Sequence, residues 1–159
     1  MRTRIPIAGM IALAFSLPCV LWGQSQSPWA GNWALNPAES TQRTGPVQYE
    51  RSTFRVEESE LGLKVSYDMV ETRGGRTHVE WTGAFDGVDY AVQGVDYVLT
   101  NAYRLIDDRS YEITVKIDGA LAATTRVEVS ADGQTLTTVT SERDGAGNAI
   151  SSTAVYNRQ

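Results

Sequence analysis

Cysteine and histidine are nearly absent: the 159 residues hold one of each, Cys19 and His78. Because Cys19 falls in an N-terminal segment that reads as removable, the remaining chain has no disulfide, no thiolate nucleophile and no cysteine metal site. Its stability must come from packing. A histidine-cluster zinc site is equally excluded, and His78 falls on the polar face of its strand, where a Ser-His-Asp triad is hard to assemble. Long 3.6-period apolar stripes are missing after residue 23, which argues against a helical bundle. No Gly-rich phosphate loop leads from a strand into a helix, and no repeat array or low-complexity tail is present.

What is present begins with a targeting signal. Arg2 and Arg4 precede an uncharged stretch from Ile5 to Leu17, and the first acidic residue is Glu39. This is a basic n-region followed by an apolar h-region, shorter than the ~20 residues of a membrane-spanning helix. Residues 1 to 23 are therefore predicted to be a signal peptide, with cleavage within a few residues of Gly23. Lipid attachment at Cys19 is the lesser alternative, because Pro18 stands where a small residue is wanted. The expected destination is secreted or periplasmic.

With Arg2 and Arg4 removed, twelve basic side chains stand against nineteen acidic ones, a net charge of −7. Such a surface repels phosphate backbones and anionic lipid, so neither nucleic acid nor a membrane surface is an expected partner, and no membrane span is expected in the mature chain. Residues 24 to 159 have the size of one domain with its own core.

The pattern over that domain is alternation. Leu63, Val65, Tyr67 and Met69 share one face of a strand, with Lys64, Ser66 and Asp68 on the other. Val79, Trp81 and Phe85 repeat the pattern. So do Tyr111, Ile113, Val115 and Ile117, followed by Leu121, Ala123, Thr125, Val127 and Val129. Turn signals such as Asp86-Gly87, Asp118-Gly119, Asp132-Gly133 and Asp144-Gly145 separate the runs. Hairpin links of this length make an antiparallel meander, since parallel strands need long crossovers. The expected fold is all-β: a single antiparallel up-and-down β-barrel of about eight to ten strands with little or no helix, closed so that its dry face is enclosed. Residues 36 to 46, polar and bounded by Pro37 and Pro46, are expected to form a long loop at one barrel mouth.

Trp29-Ala30-Gly31-Asn32-Trp33-Ala34-Leu35 places a Gly-x-Trp at the entry to the first strand. With Asn36-Pro37, Ser40, Trp81 and the run Phe85 to Gly94, it resembles secreted bacterial lipocalin-like proteins, which are calycin-type barrels. The resemblance implies a lipocalin- or fatty-acid-binding-protein-like barrel whose closed floor holds Gly31 and Trp33, crossed by a basic side chain from the last strands. Arg158 is the candidate by position, with Arg143 and Arg126 as rivals. A tryptophan simply packed in a core is the alternative for Trp33.

Catalysis without histidine would fall to the carboxylates Asp68, Glu71, Glu80 and Glu128, but their predicted faces are wet. Asp86, Asp89 and Asp144 lie in turns that supply fewer oxygens than calcium takes. No catalytic residue, cofactor or metal is predicted. The remaining signal is aromatic: Tyr67, Met69, Trp81, Phe85, Tyr103, Tyr111 and Tyr156 are the candidates for a ligand-binding lumen, since buried tyrosine hydroxyls need partners. The expected function is to hold a small apolar or amphipathic molecule without catalysis. An envelope protein-interaction module with a filled core, and a lipocalin-like isomerase or cyclase, are the alternatives.

Overall fold

The computed structural model describes residues 27–41 and 49–159; the predicted signal segment, and 42–46 of the predicted loop, lie outside the described residues. Ten strands follow in chain order: β1 Gly31–Leu35, β2 Tyr49–Ser59, β3 Gly62–Glu71, β4 Arg76–Gly83, β5 Tyr90–Gln93, β6 Leu99–Leu105, β7 Ser110–Ile117, β8 Ala120–Val129, β9 Thr135–Arg143 and β10 Ala149–Arg158. Every strand pairs antiparallel with its chain neighbours, and β1 pairs with β10 to close the barrel. This is the expected up-and-down meander, at the upper end of the expected strand number. Closure leaves no full-length free edge.

The turns explain the direction changes. Asp118 and Gly119, at φ 49° and 80°, form the two-residue link between β7 and β8, and positive φ at both central positions matches the right-handed strand twist. Asp132 shapes the β8–β9 link by accepting from Ser130 Oγ at 2.5 Å and from the Gln134 amide at 3.0 Å.

Alternation sets the inside. Val56, Val65, Leu63, Trp81, Tyr103, Tyr111, Val127, Val129 and Leu136 are all buried. Two positions expected on the dry face, Ile117 and Leu121, are 40% and 68% exposed, and Leu105, on the parity of Tyr103, is 46% exposed. For Leu121 the reason is a bulge. Val115 pairs with Ala123 but Lys116 pairs with Leu121, so one extra residue on β8 turns Leu121 to the outer side. Leu105 and Ile117 keep their parity but end their strands at the rims.

Candidate functional site

One end of the barrel is sealed from the sequence upward. Trp33 on β1 is fully buried, its indole N–H donates to the Trp29 carbonyl at 2.9 Å, and the Arg158 guanidinium lies 4.2 Å from its ring centroid. Arg158 also donates to the carbonyls of Ala30 at 2.6 Å, Pro28 at 2.7 Å and Gly133 at 2.5 Å. Gly31, at φ 140°, faces that guanidinium; a Cβ there would stand 2.5 Å from Arg158 Nη1. Arg126 and Arg143 point elsewhere, toward Ser110 Oγ and the Gly147 carbonyl.

Two aromatic groups rise from this floor. In the first, Trp29 meets Phe85 and Tyr111 at 5.3 and 5.1 Å, and Tyr103 lies between Tyr111 at 5.2 Å and Trp81 at 3.7 Å. The Trp81–Tyr103 pair is nearly parallel, at 11°. In the second, Trp33 stacks on Phe54, which contacts Tyr67 at 5.1 Å and Tyr156 at 4.8 Å. Of the seven lumen candidates, Trp81, Phe85, Tyr103 and Tyr111 belong to the packed layer; Tyr67, Met69 and Tyr156 line a cavity above it.

That cavity, about 280 Å³, lies at the open end. It exists because β1 is short: β2 and β10 continue past Leu35, and the chain from Asn36 to Thr41 folds along β10 in its place. The Asn36 amide donates to the Val155 carbonyl, Ser40 Oγ accepts from the Val155 amide at 2.9 Å, and Thr41 Oγ1 accepts from the Thr153 amide at 3.1 Å. Side-chain hydroxyls thus replace the ladder that a strand would have supplied.

The lining is rich in hydroxyls. Ser40, Ser52, Thr138, Thr140 and Ser152 join the phenols of Tyr67 and Tyr156 and the carboxylate of Glu142, with Leu35, Met69 and Ala154 as apolar contributors. Thr140 also shares a hydrogen bond with Thr125 at 2.9 Å. Sequence reasoning missed these small residues. On β9, threonine occupies both faces at 135, 137, 138 and 140, so alternation had no contrast to read. The available signal was pairing: Tyr156 opposite Leu136 sets Thr138 and Thr140 on the inner face.

Burial raises the pKa values of Tyr67, Tyr103, Tyr111 and Tyr156 by desolvating their phenolates. Their phenols are therefore in the neutral form at neutral pH.

Asp68, Glu80 and Glu128 lie exposed on the outer wall, whereas Glu71, at the end of β3, is the register partner of Tyr49. His78 Nδ1 is 2.8 Å from Asp68 and its Nε2 is 3.8 Å from Glu80, which Lys64 also approaches at 3.0 Å. Arg104, outward beside inward Tyr103, pairs with Glu112 at 2.9 Å. Asp86 and Asp144 accept from amides within their own turns. Among the described residues, no group of three or more His, Cys, Asp or Glu is placed to hold a metal ion.

Fold and cavity together define a closed antiparallel barrel sealed at one end and opening to a small polar-walled chamber at the other. No family model matches the chain, and no curated protein matches it.

Proposed function

We propose that this is an exported, lipocalin-like carrier that holds a small amphipathic molecule in the chamber at its open end. The observation that carries the reading is the chamber itself: about 280 Å³, walled by phenols, small hydroxyls and Met69, opposite the end sealed by Trp33 and Arg158. Its volume lies just below the ~300–1,000 Å³ of drug-sized sites, so the ligand is small or extends through the mouth. The hydroxyl lining favours an amphipathic ligand over a purely apolar one, because an all-hydrocarbon molecule would desolvate those hydroxyls without replacing their hydrogen bonds. We read the chamber as a binding site because its neutral tyrosines and small hydroxyls supply recognition, with Glu142 as the one carboxylate among its lining residues.

Native mass spectrometry of the protein from its own secreted fraction, with solvent extraction of bound material, tests it. A discrete co-purifying small molecule, lost in Met69→Trp, supports the carrier. An unliganded mass with no response to a panel of small amphiphiles overturns it.

A second reading has its own observation. Tyr97, Val98, Ile117 and Leu121 are exposed, and the Asp118 amide donates to the Val98 carbonyl, joining two hairpins at the open rim. An apolar patch there supports an envelope interaction module.

A further inference from the structure

Below the chamber, two polar atoms on the inner face of β6 lack hydrogen-bond partners among the described residues. They are the hydroxyl of Tyr103, a residue 1% exposed, and the buried Oδ1 of Asn101, two positions earlier on the same face. Tyr103 is enclosed by its aromatic neighbours, and Asn101 is held in place through its backbone. Trp81 stacks on Tyr103 at 3.7 Å and donates its indole N–H to the Asn101 carbonyl at 3.2 Å, while Tyr111 flanks Tyr103 at 5.2 Å. Phenylalanine and leucine would fill the same space without leaving buried polar atoms unpaired, which costs folding free energy. A packed layer that keeps both atoms points to a ligand that uses them.

We propose that Tyr103 and Asn101 form the inner polar end of the binding site, and that they take an uncharged group carrying both a donor and an acceptor, an alcohol or primary amide, at the leading end of a small apolar molecule. The hydroxyl of Tyr103 donates to the ligand oxygen, and the ligand O–H or N–H donates to Asn101 Oδ1. A charged head is disfavoured: among the described residues the buried polar ones are the uncharged Ser52 and Ser110, so a carboxylate or ammonium at the pair would be buried without a buried counter-ion. Tyr67 stands between chamber and pair. It lines the chamber and also packs against the aromatic core that contains Tyr103, so a ligand entering from the chamber reaches the pair past its ring.

This inference rests on the chamber being a ligand site, and the experiment separates the two. Benzyl alcohol, benzamide, toluene and benzoate are titrated into the wild type, Tyr103→Phe and Asn101→Leu, followed by protein-observed NMR. The expected order in the wild type is benzyl alcohol and benzamide ahead of toluene, with benzoate last. In Tyr103→Phe the preference over toluene falls roughly threefold to tenfold, the loss of one neutral hydrogen bond. Asn101→Leu narrows it too, and toluene binding is unchanged in both. Without ligand, Tyr103→Phe melts at or above the wild-type temperature, because the hydroxyl has no structural partner to lose.

Binding of all probes with no such preference overturns the inference while leaving the carrier reading intact. So does a fall of ~4 °C or more in the melting temperature of Tyr103→Phe, which would show the hydroxyl engaged structurally. Failure of every probe to bind the wild type overturns both.

Discussion

Arg158 covers Trp33: the guanidinium of the penultimate residue lies 4.2 Å from the centroid of an indole at the start of the first strand. The pair joins the two strands whose contact closes the barrel, since Trp33 and Arg158 are register partners across β1 and β10. One side chain therefore serves as lid, as cation over an aromatic face and as donor to three carbonyls.

Arg158→Ala removes all of these at once and leaves partly buried carbonyls unpaired. Destabilisation of about 2–4 kcal/mol is expected in urea unfolding. Arg158→Lys should recover little of it, because an ammonium cannot spread over the ring and address three carbonyls in a fork.

Trp81→Ala is expected to damage the fold more than the chamber. The ring is 2% exposed and stacked on Tyr103, so its loss should cost about 3–5 kcal/mol and loosen the packed layer. Near-ultraviolet circular dichroism and a lowered melting temperature would report this. By contrast, Met69→Trp fills space at the chamber wall and should abolish ligand uptake with a much smaller change in unfolding free energy.

Ser40→Ala deprives the Val155 amide of its acceptor. A cost of about 1 kcal/mol is expected, together with faster hydrogen exchange at Val155 and Thr153 while the β9–β10 amides stay protected. The readout locates the weak seam of the barrel at the end of β1, beside the chamber.

His78 titrates on the outer wall. Its hydrogen bond to Asp68, with the negative charge of Asp68 and Glu80 behind it, raises its pKa above the ordinary 6.5. A folded pKa above the unfolded one means the contribution to stability is full below the unfolded value and is lost as pH rises through the folded value. An NMR titration should show the raised midpoint, and Asp68→Asn should lower it. Because the imidazole is exposed, the chamber should bind ligand equally on both sides of that midpoint.

Much of the architecture was legible because it depends on local rules. Alternation at Leu63 to Met69 and Tyr111 to Val115 reports burial on one face, and Asp-Gly turns force antiparallel neighbours. Leu121 was not legible. Its exposure follows from a bulge opposite Lys116, and an extra residue in one strand leaves no mark on a pattern that continues through it.

The candidate site divides in the same way. Composition and alternation by themselves determined an all-β chain with a dry face rich in tyrosine and tryptophan, and the Gly31–Trp33 motif marked where its first strand enters. Only the tertiary structure decided which aromatics fill and which line: Trp81, Phe85, Tyr103 and Tyr111 lie among one another, while Tyr67 and Tyr156 face open volume. Inward direction is set residue by residue, but height along the barrel axis is set by the stagger of ten strands and by where the short β1 ends. That height is a property of closure, and no single strand encodes it.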